Sequence, residues 1–319
     1  MLQRNRLGDV TMKTHGFSRR NFLKVTVAIA SGVAMPTSLV AHALENTADA
    51  SALHIAANSF MCSNYYKRDS KDYLDHLAEI KRAGIDGIEP GIGTAAEAQS
   101  MGERLRNAGL EMRSVYATLN FFKSEDEAKA SLNKSVAMAK AAAAFGTKIL
   151  ACNFRTSPEG KTDEEIIRQT AYLDELSHLL AEDGIKLCIH YHTPEWNAAG
   201  REIMHAMSQT DPNRVGFCME THWSYTSGGN SMAAVQAHAS TYADRTFEFH
   251  LRQSINNVWS ETFGDGDIDH VAIAEMFTKR GSPLPLIVLE QAPQRNTPQT
   301  MEAFEVFKKS VDYARKIFG

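Results

Sequence analysis

From residue 53 onward the chain repeats one phrase: a stretch with apolar positions three and four apart, a glycine, then a short apolar run. Tyr73, Leu77 and Ile80 mark one such helical face, and Ser124-x-x-Glu127 and Thr162-x-x-Glu165 have the form of capping boxes at helix starts. Gly84, Gly109, Gly146, Gly184 and Gly281 stand where the helices stop, and glycine reaches the left-handed backbone of a helix C-terminus at least cost. The runs that follow them are IDGIEPG, LEMRSVYAT, TKILACNF, IKLCIHYH and SPLPLIVLEQ; with LHIAANSF, NRVGFCMET and DRTFEFHLRQ they make eight strands. Strands that alternate with helices pair in parallel. Eight such units in about 270 residues predict a single (β/α)8 TIM barrel over 53–319. A doubly wound sheet carries fewer strands and a glycine-rich loop, and no G-x-G-x-x-G follows the first run.

The first 43 residues follow a different pattern. SRRNFLKVTVAIASGVAMPTSLVAHA sets Arg19 and Arg20 before a moderately apolar stretch that ends in Ala41-His42-Ala43, the form of a twin-arginine (Tat) export signal. Its Ser, Thr, Gly, Pro and His make it a poor membrane span, so no stable membrane anchor is expected. The expectation is a cleaved signal at 1–43, a flexible leader at 44–52, and a periplasmic protein delivered by the twin-arginine export machinery. Residues 1–43 hold six of the 34 Lys and Arg and one of the 38 Asp and Glu, so their removal takes the net charge from −4 to −9. That balance, with no clustered basic run, argues against a nucleic-acid partner. Cys62, Cys152, Cys188 and Cys218 are widely spaced and form no C-x-x-C pair, which predicts buried free thiols.

Chemistry in such a barrel gathers at the C-terminal strand ends. There strand two ends in Glu89, strand four in Asn153, strand five in His190 and His192, strand six in Glu220 and His222, strand seven in His250 and Arg252, and strand eight in Glu290. In CIHYHTPEW a period of two aims His190 and His192 one way and Leu187, Ile189 and Tyr191 the other. Two hydrogen-bonded core histidines would also account for that pair taken alone. Several carboxylates and imidazoles from four strands need a shared counter-charge, and a divalent cation supplies one. Trp196, Trp223 and Trp259 are expected in loops over the same end, where an aromatic face suits the C–H surface of a sugar. Asp265-x-Asp267-x-Asp269 is not an EF-hand, because the sixth position is His270 and the twelfth Met276.

Across its whole mature length the chain resembles the xylose isomerase-like TIM barrels, the sugar phosphate isomerase/epimerase superfamily. YHTPEW resembles the His-x-His branch, which includes inosose dehydratase-like and keto-glycoside lyase-like proteins. CMETHW has Glu220 where the superfamily usually has Asp, and FHLRQ has Arg252 and Gln253 where it has Lys-Asp. Glu290-Gln291 and the FGDGDID segment match its pattern. The resemblance implies His190, Glu220, His250 and Glu290 as ligands of one divalent ion. It places His192 near the substrate; the chemistry of such a site then points to Glu290 as base and Glu220 or His192 as the group that returns the proton, with Glu89, Asn153, His222, Trp223 and Arg252 as candidate substrate contacts at the same barrel end. A set of two imidazoles and two carboxylates suits Mn2+ first, then Co2+, Zn2+, Fe2+ or Ni2+. The implied activity is enolisation of a carbohydrate, ending in isomerisation or epimerisation, or in β-elimination from a keto-sugar, inosose or 3-keto-glycoside. His190 in place of the superfamily's glutamate removes one of its two bases. A non-catalytic carbohydrate-binding barrel stays open as an alternative, as does a homo-oligomeric assembly.

Overall fold

Each of the eight apolar runs forms a strand in the computed structural model, which describes residues 53–319 except residue 282. The expected export signal at 1–43 and leader at 44–52 lie outside the described residues. The strands are β1 (Ile55–Asn58), β2 (Gly87–Glu89), β3 (Ser114–Leu119), β4 (Ile149–Phe154), β5 (Lys186–Ile189), β6 (Val215–Glu220), β7 (Thr246–Leu251) and, after a two-stranded hairpin, β10 (Leu286–Leu289). The hairpin pairs β8 (Ser254–Ile255) with β9 (Val258–Trp259) in antiparallel fashion. The barrel strands lie in the order β2-β1-β10-β7-β6-β5-β4-β3 with every ladder parallel.

Closure falls between β2 and β3, where single parallel bridges join Gly87 to Glu111 and Gly91 to Tyr116. Gly87 is needed there: a Cβ on it would lie 2.6 Å from the Glu111 carbonyl oxygen. The result is a nearly closed (β/α)8 TIM barrel with helices between the strands, as the alternating pattern predicts.

The helices begin and end on the predicted signals. Ser124 and Thr162 both form full capping boxes, with Glu127 and Glu165 returning a carboxylate to the cap N–H. Each satisfies two orphan donors and puts negative charge at the positive helix end, an effect of about 1 kcal/mol for the cap. Gly84 leaves its helix with φ 101°, the backbone that terminates the turn. One expectation changes. Tyr73, Leu77 and Ile80 do not share a helix, because a 3-10 turn at Tyr73–Asp75 gives way at His76 to the short helix Leu77–Arg82. His76 stacks on Tyr66 at 4.8 Å instead of continuing the turn.

The core lies between barrel and helices. The C-terminal helix Ala303–Phe318 buries Val306, Phe307, Val311, Ala314 and Phe318 along one face. A fully buried Phe307 contributes about 2–3 kcal/mol of hydrophobic free energy. All four cysteines are free and buried. Among the described residues no helix is long and apolar enough to cross a membrane.

Candidate functional site

The polar residues of the strand ends meet at the C-terminal mouth of the barrel. His190 follows β5 and is fully buried; His250 lies within β7 and is fully buried; Glu290 follows β10 with 7% exposure. Donor atoms of these three side chains lie within 4.8 Å of one another. His190 Nε2 is 3.9 Å and His250 Nδ1 3.6 Å from Glu290 Oε2. Those same three atoms are buried with no hydrogen-bond partner among the described residues. Two imidazole nitrogens and a carboxylate oxygen that converge from three strands form a ligand set suited to a divalent cation, which would displace the ring proton of His250.

Burial pushes His190 down to about 4, so its imidazole is neutral and able to donate a lone pair. Burial also opposes protonation of His250, but the Glu89 carboxylate, with Glu248 and Glu290, outweighs it and drives that ring well above the usual histidine range. For Glu290 burial is offset by the Arg252 guanidinium and the two histidines, which hold the carboxyl well below its ordinary value. Arg252, 2% exposed, lies 3.1 Å from Glu290 Oε2 and donates from Nε to the Glu290 carbonyl oxygen at 3.0 Å. Its guanidinium also sits 4.1 Å from the Trp259 ring centroid.

Glu220 stands outside this trio. It caps helix Thr221–Ser227, accepting from the Trp223 N–H through Oε2, while Oε1 is buried without a partner among the described residues. Burial raises its pKa to about 7, against the opposing pull of Arg252. His192 begins helix Thr193–Gln209; its side chain is 35% exposed and its Nδ1 lies 3.7 Å from Glu195.

At Glu290 opens a cavity of about 330 Å³, lined also by Glu89, Tyr116, His192, Arg252, Trp223 and Trp259 among others. That volume lies at the small end of the range of about 300–1,000 Å³ usual for small-molecule sites. Trp223 and Trp259 meet edge to face at 6.4 Å. None of the three tryptophans lies in a loop: Trp223 is on helix Thr221–Ser227, Trp259 on β9, and Trp196 on helix Thr193–Gln209, stacked on His238 at 4.0 Å.

Two other expected contacts are engaged within the protein. Asn153 accepts from Thr118 at 2.8 Å, and His222 Nε2 accepts from the Trp259 indole N–H at 2.8 Å. Asp267 ties down the β8–β9 turn by accepting from Ser254, Asn256 and Asn257, and Asp269 caps helix His270–Thr278. Their acidic spacing is therefore explained by local structure.

Three residues of the site escaped the sequence reading. Glu248 accepts from His250 Nε2 at 2.8 Å and is fully buried. Its period-two spacing from His250 on β7 was the signal that could have found it. Tyr116 places its hydroxyl 3.3 Å from His190 Nδ1, and Glu195 accepts from the His192 backbone N–H at 3.0 Å. For Glu195 the capping-box spacing was visible in HTPE.

The family profile described as xylose isomerase-like TIM barrel matches residues 77–313. No curated protein matches the sequence. Among solved structures, a sugar phosphate isomerase/epimerase from Parabacteroides distasonis superposes with a TM-score of 0.64 at 14% identity, covering 84% of this chain and 95% of its own. A 3-keto-D-glucoside 4-epimerase from E. coli gives a TM-score of 0.59 at 15% identity, covering 83% and 100%. A protein named as a xylose isomerase-like TIM barrel from Mycobacterium smegmatis, solved in complex with magnesium, gives 0.63 at 15% identity, covering 83% and 96%. At these identities the superpositions speak for the fold, and the profile, which spans about three-quarters of the sequence, speaks for the family: the chain belongs to the xylose isomerase-like TIM barrel family.

Proposed function

We propose that this protein is a divalent-metal-dependent carbohydrate isomerase or epimerase that works by enolisation. The observation that carries the reading is the convergence of buried donor atoms of His190, His250 and Glu290 at an aromatic-walled cavity that Glu290 lines. These residues would hold the ion; imidazole and carboxylate donors suit Mn2+, Co2+, Zn2+, Fe2+ or Ni2+. The Mycobacterium smegmatis relative is described with magnesium, and a protein called IolI, similar in fold, with zinc. When bound, a divalent ion supplies Lewis acidity toward a sugar oxygen.

The chain's own groups account for the rest. Glu290, kept ionised beside Arg252, takes the proton from the carbon next to the sugar carbonyl. Glu220 or His192 returns a proton to the neighbouring atom or the opposite face, and Trp223 and Trp259 offer rings to the C–H side of the substrate. Arg252 and the aromatic walls keep water from the reacting carbon.

A second reading, β-elimination from a keto-sugar or keto-glycoside, is favoured by His190. Where the resembling epimerases carry a glutamate, this chain has a neutral imidazole, which makes a weaker partner for Glu290 in two-sided proton transfer. Both paths begin with loss of the α-proton. Exchange of substrate α-hydrogen in D2O, screened over aldoses, ketoses, inososes and 3-keto-glycosides with Mn2+ or Co2+, therefore tests the shared step. Glu290→Gln keeps the shape but removes the basic charge, and should lower deuterium uptake by about 10²-fold or more. Binding of a sugar with no exchange by the wild type would replace the enzyme with a carbohydrate-binding barrel. We further propose, from the Arg19-Arg20 segment, that the protein is exported by the twin-arginine machinery and works in the periplasm.

A further inference from the structure

His250 meets the proposed metal position through Nδ1 and a pair of carboxylates through Nε2. Behind the ring, Glu248 Oε1 accepts from Nε2 at 2.8 Å, while Glu89 oxygens lie 3.2 and 3.3 Å from the same nitrogen. Glu89 is anchored by the Ser114 hydroxyl, which donates to its Oε2 at 2.8 Å. Glu248 is fully buried with its Oε2 unbonded among the described residues, and burial, with the neighbouring Glu89 carboxylate, pushes its carboxyl well above the usual carboxylate range. A carboxylate at such a depth costs several kcal/mol unless it does something for a neighbour.

An imidazole has one proton to place in its neutral form. Held by an acceptor at Nε2, that proton leaves the Nδ1 lone pair facing Glu290 and His190. His190 is held differently, by the neutral Tyr116 hydroxyl at its Nδ1, which leaves Nε2 toward Glu290. We propose that Glu248 is a positioning residue that fixes the tautomer and ring orientation of His250, so that Nδ1 is the metal-binding atom. This rests on the metal-dependent reading above.

Donor atoms of Cys218, Glu248 and His250 also lie within 4.8 Å of one another. The same cluster as a second, thiolate-containing metal site makes a different prediction. Nε2 cannot both donate to Glu248 and bind a metal, so the two arrangements exclude each other and the experiment separates them.

The test is Co2+ binding to the full chain, by calorimetry and by the visible absorption of the bound ion, for wild type, Glu248→Gln and Glu248→Leu. The expected result is one Co2+ per chain in the wild type and a loss of about 10–100-fold in affinity in Glu248→Leu, the usual cost of removing a ligand's outer partner. Glu248→Gln, whose amide oxygen still accepts from Nε2, should lose less. Metal-free thermal midpoints of the variants should stay level or rise, because an unbonded carboxyl oxygen leaves the core. A purely structural role predicts the reverse, a lower metal-free midpoint with unchanged Co2+ affinity, and that outcome overturns the proposal. Two Co2+ per chain with an ultraviolet thiolate-to-cobalt band overturns it in favour of the second site. If the variants fail to fold, nitrogen-15 imidazole spectra of the Zn2+-loaded wild type decide: Nε2 protonated and Nδ1 metal-bound supports the proposal, the opposite assignment overturns it. No Co2+ uptake by the wild type overturns the metal reading as well, whereas uptake with equal affinity in all three proteins overturns this inference alone.

Discussion

Replacing Arg252 by methionine isolates the charge balance of the site. The guanidinium is 2% exposed, its Nη2 lies 3.1 Å from Glu290 Oε2, and it is the cation that holds the Glu290 carboxylate ionised inside the barrel. At an effective dielectric of about 20, a pair 3.1 Å apart attracts by about 5 kcal/mol. Losing one member of a buried pair costs about 3–5 kcal/mol, because the survivor is left uncompensated. Methionine fills most of the aliphatic volume, so the charge is the main thing removed. A loss of 1 kcal/mol lowers the melting midpoint of a domain of this size by about 2–4 °C, which puts the fall for metal-free Arg252→Met at about 6–20 °C. A divalent ion at Glu290 would supply the missing positive charge. Saturating metal at 100 times its dissociation constant stabilises wild type by about 2.7 kcal/mol, and it should stabilise Arg252→Met by more, narrowing the gap between them. The assay is a pair of thermal melts for each protein, in chelator and in Mn2+ or Co2+. A metal-free variant that melts within 1–2 °C of wild type, taken as about 0.5 kcal/mol, refutes the charge argument. An equal metal shift in both proteins refutes the placing of the ion at Glu290.

Stability should also fall in mild acid. Burial holds His270 at about 3 in the folded protein, far below the unfolded value of about 6.5, so below pH 6.5 the unfolded chain binds the extra proton. The contribution is complete above pH 6.5 and is lost as pH falls toward 3, at up to about 1.4 kcal/mol per unit; urea midpoints at pH 7 and 5 should differ less in His270→Gln, and an identical difference would remove His270 from the explanation. Changing both Arg19 and Arg20 to Lys should leave the precursor uncleaved in the cytoplasm on fractionation, and normal export of that variant would rule out the twin-arginine route.

The architecture was readable because it repeats. Helix periodicity, stop glycines and short apolar runs are local signals, and each of the eight runs became a strand of the barrel. His190, His250 and Glu290 were readable for a related reason: each stands at or next to the end of a strand, where the apolar alternation leaves a ligand-type side chain on the inner face. Glu248 sits inside the run TFEFHL and looks like an interruption of a core strand. Its period-two spacing from His250 puts both on one face of β7, but the depth of that face and the hydrogen bond between them are visible only in the structure.

Residues far apart in sequence set the electrostatics of the site. Glu89 and His250 are 161 positions apart, and Arg252 finds Glu290 only because β7 and β10 are neighbours in the sheet. Glu220 shows the limit most directly. Its place at the end of β6 marks it as a ligand, and the turn into helix Thr221–Ser227 commits one carboxylate oxygen to the Trp223 N–H while the other stays buried without a partner among the described residues. Sequence periodicity determines which face a side chain lies on. Which strand stands beside it, how deep it sits and which unsatisfied atom it meets first follow from chain closure, and no local pattern encodes that distance.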